Sequence, residues 1–189
     1  MFVRTKLGWI KKQQEKFAKQ PRQSKREYVS GETLYVFGQQ YFLRVEYSYK
    51  GNSLVLVGNE AILTVRKEST VSQREAFVNE WYRSKLKEKI EIYLPKWENI
   101  TGLHCDSWQT KYMTTRWGTC NTKTRKIWLN LQLAKKPIEC LEYVILHELA
   151  HLKVRNHSKD FVAIMDQYMP YWRETKKLLN DLKLDYMEE

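Results

Sequence analysis

Residues 147–157, HELAHLKVRNH, put three of the chain's four histidines within eleven positions and a glutamate directly after the first. In a helix, residues four apart stand one turn above the other, so the imidazoles of His147 and His151 can reach a single ion. Glu148 lies about 100° further round the helix, where it can approach water beside that ion without being a ligand. The six-residue gap to His157 suits a chain that leaves the helix near Arg155 and Asn156 and turns back, bringing a third nitrogen from a loop. Three protein nitrogens with a fourth position free is the open coordination of a catalytic zinc site. Such an ion brings the pKa of water down to about 7 and polarises a carbonyl under attack. Glu148 could then take the water's proton as general base and deliver it to the leaving group. The chemistry expected from this pattern is hydrolysis with one zinc ion. His104 stands apart beside Cys105, and both read as structural.

Two variants of the site share part of the spacing. A metzincin signature places glycine seven residues after the first histidine, where this chain has Val154. A β-branched residue disfavours the positive φ that such a glycine supplies, so a metzincin turn is not expected. A carboxylate ligand from a later helix is the other variant, with Glu174 the candidate.

The helix carrying these groups must be held by neighbours, and the rest of the sequence supplies them. Pro137 suits a first helical turn, and Leu141, Ile145, Leu149 and Leu152 form a buried stripe beyond it. Ser158 can cap the next helix, with Asp160 in its positive first turn, and a last amphipathic segment spans 171 to about 184. Upstream, residues 28 to about 67 break into short β-rich runs separated by turn candidates, which predicts a small antiparallel meander or hairpin sheet. A helical pattern follows from about 72 to 94, where Pro95 is expected to kink or end it. Two strands are expected at 107–116 and 126–131, joined through Trp117, Gly118 and a polar turn. Residues 3–20 read as a basic amphipathic helix, and residues 20–27 as a linker. The expected division is therefore a basic arm and linker over 1–27 and an α+β domain over 28–189, its catalytic part at about 107–184.

The formal net charge is +11, and the arm is its densest part, with nine basic residues against two acidic ones between Arg4 and Glu27. Such a surface would suit acidic partners, nucleic acid or nucleotides among them, but a charge run of this kind is more commonly a solvated helix that aids solubility. The three cysteines form no C-x-x-C pair and suit reduced thiols. Cys120 could be an extra ligand or a small buried hydrophobe. No stretch is apolar enough for a membrane span, and the N-terminus lacks a signal-peptide core. The expected location is cytoplasmic.

Beyond the histidine cluster, Trp117 to Cys120 (WGTC), Asn130 in a strand, Tyr143 to Leu152 (YVILHELAHL), Asn156 to Phe161 (NHSKDF) and Pro170-Tyr171 resemble the YgjP-like metallopeptidase family of bacteria. That group is similar to the SprT-like and minigluzincin zinc peptidases. The resemblance spans about 107 to 182 most strongly and extends back to Tyr28; the family usually carries Trp where this chain has Leu131. It implies a compact zincin-like fold, with a small, mostly antiparallel sheet packed on the helix of His147, Glu148 and His151, and His157 as third ligand. Arg116 and Trp117 then fall beside the cleft as candidates for substrate contact, although Trp117 and Gly118 also read as a packed aromatic and a turn glycine. Tyr168 and Tyr171 are candidates either for donating to a developing oxyanion or for packing between the last helices. The function implied is peptide-bond hydrolysis. Two alternatives stay open: a nucleotide or phosphoanhydride hydrolase using the same centre, and a SprT-like protease whose arm binds DNA or RNA.

Overall fold

The computed structural model describes residues 26–181. The basic helix expected at 3–20 and nearly all of the linker expected at 20–27 lie outside them. The described chain is α+β, with seven strands in two sheets, a short 3-10 helix and four α-helices. None of these helices is long and apolar enough to cross a membrane.

Strands β1 (Thr33–Val36), β2 (Gln39–Tyr47), β3 (Ser53–Val57) and β4 (Glu60–Val65) form the first sheet, in the order β1-β2-β4-β3. Both hairpins are antiparallel, but β2 and β4 run parallel, with Leu43 opposite Ala61 and Val45 opposite Leu63. This corrects the antiparallel meander. The β2–β3 connection carries β3 past the position beside β2, so that β4 returns into it in the same direction as β2. The alternation is clear in β4, whose Ala61, Leu63 and Val65 are wholly buried.

Helix α1 (Val71–Thr101) buries a single stripe of Val78, Tyr82, Leu86, Ile90, Leu94 and Trp97 in the core. Thr70 and Gln73 close a reciprocal capping box at its start, and Gly102, at φ 68°, ends it with its N–H on the Glu98 carbonyl. Pro95 therefore does not end the helix. The residue lies on the exposed side, so the Glu91 carbonyl it deprives of a partner faces water, while Leu94 and Trp97 continue the buried stripe. The Tyr82 hydroxyl donates to the Tyr35 carbonyl at 2.8 Å and ties α1 to β1.

The second sheet holds β5 (Ser107–Lys111), β6 (Gly118–Asn121) and β7 (Lys126–Asn130) in the order β5-β7-β6. β5 is parallel to β7 and β6 antiparallel to it, which leaves β6 as an edge. The strand expected over 107–116 stops at Lys111, and Gly118–Asn121 is a separate strand where a connection was expected. After the 3-10 helix (Leu131–Lys135) comes α2 (Ile138–His151), the innermost element, with Leu141, Ile145 and Leu149 fully buried. Its entry is fixed by Gly38, at φ 85°, where an added Cβ would meet the Pro137 ring at 2.9 Å. α3 (Lys159–Tyr168) and α4 (Trp172–Asp181) pack around α2. Ser158 occupies the N-cap of α3 without a side-chain capping bond, and Asp160 lies in its first turn.

Candidate metal centre

α2 ends at His151, so the chain leaves the helix earlier than its sequence suggests. The turn through Val154 keeps a negative φ, as no glycine-like conformation occurs there, and returns His157 to the helix end. The ligand atoms of His147, His151 and His157 lie within 4.8 Å of one another. The Nε2 atoms of His147 and His157 are 3.1 Å apart. Two imidazole lone pairs at that distance repel unless a proton or a cation lies between them, so this donor set suits a cation. The three ring centroids are mutually 4.9 Å apart, and Phe161, buried on α3, stands 4.8–4.9 Å from each. It forms an apolar floor that the sequence motif did not announce.

The Nδ1 of His151 lies 3.1 Å from the Val154 carbonyl, which can only accept. That nitrogen must carry the ring proton, leaving the Nε2 lone pair free, the usual way an outer partner fixes a ligand's tautomer. Burial and the neighbouring imidazoles hold His147 down to about 3, and burial lowers His157 as well. Both rings are thereby kept neutral, the form that binds metals. Glu174, on the first turn of α4, is exposed and stands outside this grouping of ligand atoms.

Glu148 is 4% exposed, and burial pushes its carboxyl up to about 8, with Arg116 pulling the other way. Its carboxyl is covered by the edge strand. A Cβ on Gly118 would lie 2.7 Å from Glu148 Oε1, 2.8 Å from its Cγ and 2.9 Å from Val144 Cγ1. Gly118 is therefore neither a turn glycine nor a spectator; its missing side chain is the space that the carboxyl fills. Gly118→Ala is expected to leave metal affinity within a few-fold and to displace the carboxyl by about 1 Å, a shift that at a reacting group costs about a hundredfold in rate. Parallel metal titration and kcat measurements check it.

A cavity of about 810 Å³ opens over these groups. One wall is Arg116, Trp117 and β6 with the turn after it; the other is α2 and the loop bearing Arg155 and His157. Trp117 is half-buried with the Lys136 ammonium 5.8 Å from its ring. Tyr168 and Tyr171 are not among the lining residues; Tyr168 packs on the core edge, and Tyr171 is 76% exposed. The tyrosine that does line the cavity is Tyr143, one turn before His147, its ring parallel to that of Trp172 and its hydroxyl pushed up to about 12 by burial and by Glu148. The i−4 spacing to His147 was a signal for it. Cys120 is half-buried in the cavity wall, its thiol raised to about 11 by burial and Glu148. His104 is exposed beside Glu98.

Asn130 secures the segment that delivers Arg116. Buried at the end of β7, its Nδ2 donates to the carbonyls of Met113 at 2.8 Å and Arg116 at 2.7 Å, while its Oδ1 accepts from the Gln132 amide at 3.1 Å. Asn130→Leu leaves those carbonyls without their donor and is expected to cost about 2–4 kcal/mol, measurable as a lower urea midpoint at unchanged slope.

A family model for the YgjP-like metallopeptidase domain matches residues 1–182. Among solved structures, the chain is similar to the metallopeptidase zymogen abylysin of Pyrococcus abyssi, with 21% identity and a TM-score of 0.46 over 52% of this chain and 99% of that one. It is also similar to the metallopeptidase zymogen jannalysin of Methanocaldococcus jannaschii, with 23% identity and a TM-score of 0.44 over 48% and 93% of the respective chains. No curated protein matches the chain.

Proposed function

The chain belongs to the YgjP-like metallopeptidase family, and from that premise we propose a zinc-dependent peptidase in which His147, His151 and His157 hold the ion and Glu148 is the general base. The observation that carries this reading is the convergence of three imidazoles from a helix end and a returning loop. Held by His147, His151 and His157, a zinc ion would supply an acidified water and a polarised carbonyl, and its charge would favour the ionised form of Glu148.

The chain's own residues account for the remaining steps. Glu148 accepts a proton from the attacking water at a carboxylate oxygen and returns it to the leaving amine. Its burial beneath β6 keeps bulk water from competing for that proton. β6 is an edge strand whose residues line the cavity, and an extended peptide can add to such an edge as a further strand. This aligns the scissile bond over the carboxyl that Gly118 accommodates. The Tyr143 hydroxyl, which stays protonated at neutral pH, is available to donate to a developing oxyanion.

Metal analysis of protein purified without chelator should give about one zinc per chain, as a three-histidine catalytic site requires. Cleavage of a mixed peptide library should stop on chelation and return with added zinc. Undiminished cleavage by fully metal-free protein would refute the assignment.

A further inference from the structure

We propose that the cleft selects acidic peptides, using Arg116, Lys123 and Arg155 to bind carboxylate side chains on either side of the scissile bond; this specificity rests on the peptidase reading above. All three residues line the cavity, and among the described residues the one acidic side chain lining it is Glu148. Glu148 is buried against Gly118, where its carboxyl feels Arg116 but neither Lys123 nor Arg155. None of the three cations has an ion pair among the described residues, whereas Arg125 pairs with Asp106 and Arg173 with Asp166 at 3.1 Å and 2.5 Å. What distinguishes Arg116, Lys123 and Arg155 is that they gather on one cavity, where no carboxylate of the described residues lies within salt-bridge distance of them.

Their placement matches an extended ligand. Arg116 precedes β6, which runs from Gly118 to Asn121, and Lys123 follows it, so the two cations bracket the edge strand. Lys123 is held at its end by Asn121, whose Oδ1 accepts from the backbone amides of Lys123 at 3.0 Å and Thr124 at 3.2 Å. Arg116 is held at the other end by the bond from Asn130 to its carbonyl. Arg155 lies across the cleft in the loop between the two histidine ligands. Lys176 on α4 adds to the same field, its charge reaching His147 and His157. A peptide laid along β6 passes one cation before the reacting carbonyl and one after it, with the third opposite. Like-signed walls of a cleft also draw oppositely charged ligands in at raised rates, an effect that salt screens.

The test uses the full-length zinc-loaded protein and three peptides that differ only in the residues flanking a shared scissile bond, all Glu, all Gln or all Lys. The Glu peptide should show kcat/KM about tenfold or more above the Gln peptide, with the Lys peptide lowest, and the spread should narrow on raising salt to about 0.3 M. In the doubly reversed variant, Lys123→Glu with Arg155→Glu, the order should invert; the neutral pair Lys123→Gln with Arg155→Gln should flatten it. Both positions are exposed, and unchanged zinc content and circular dichroism confirm that each variant is folded. Equal cleavage of the three peptides, or a preference that survives both pairs of substitutions, overturns the specificity while leaving the peptidase reading intact. Cleavage of none of the peptides, with hydrolysis of a nucleoside triphosphate assayed alongside, overturns both.

Discussion

Glu148→Gln is expected to retain zinc at wild-type stoichiometry and to lose hydrolysis by about 10²–10⁴-fold, the range that a general base contributes. The substitution changes one oxygen to an amide nitrogen and preserves the shape against Gly118 and Val144, so the cleft wall has no cause to move. The three imidazoles that gather near the helix end do not include this side chain, which is why metal content should hold. Turnover and metal content measured on the same preparation give the result. Wild-type turnover would remove Glu148 from the mechanism, and lost zinc would make it a ligand or a structural support.

The same substitution has an opposite effect on the stability of the metal-free protein. Burial raises the Glu148 carboxyl from 4.5 to about 8. Between those values the folded chain holds a proton that the unfolded chain has released, so stability falls as pH rises through that window. Gln has no such proton. Chelated Glu148→Gln should therefore exceed chelated wild type near pH 7 by up to about 3 kcal/mol, with the gap closing below about pH 4.5. Denaturant melts of both proteins at the two pH values measure it. A substitution that costs turnover while adding stability is expected of a side chain whose buried placement serves chemistry.

The helix of this centre was legible because its signals are local. Leu141, Ile145 and Leu149 repeat at the helical period and are all fully buried, and His147 and His151 share the spacing of one turn. The third histidine followed from the same distance argument. Strand partnership was less legible. Alternation in QYFLRVEY and EAILTV announces two strands but carries nothing about their relative direction, which depends on the path between them. GTCN was missed as a strand because four residues with one glycine show no alternation, and its place is set by β7 and by the carboxyl beneath it. Pro95 misled for a related reason: its local cost is real, but the Leu94 and Trp97 contacts on the opposite side outweigh it. Gly118 and Phe161 owe their place in the site to spatial neighbours distant in sequence. No local pattern encodes that.

His151→Ala is expected to weaken zinc binding by well over a hundredfold and to remove hydrolysis with it. Loss of an outer partner that merely orients a ligand costs about 10–100-fold in affinity, and here the ligand itself is removed. The remaining nitrogens, on His147 and His157, would leave two positions to water and no third imidazole to close the site. A ligand that binds only the folded chain raises stability by RT ln(1 + [L]/Kd), about 4 kcal/mol at a thousandfold excess over Kd. Wild type should accordingly melt higher with added zinc, and His151→Ala should show little or no shift at the same concentration. The variant also loses the bond from Nδ1 to the Val154 carbonyl, which fixes the turn carrying Arg155 and His157. His157→Ala separates the two effects, because its ring is exposed and its contacts are with the other imidazoles and Phe161. It should abolish the zinc-dependent shift while leaving the melt of the metal-free protein near that of wild type, whereas His151→Ala should lower both. His104→Ala, beside Glu98, is the control that should change neither. A zinc-dependent shift that persists in His151→Ala would move the ion away from these three nitrogens, and the placement of Glu148 as base would fall with it.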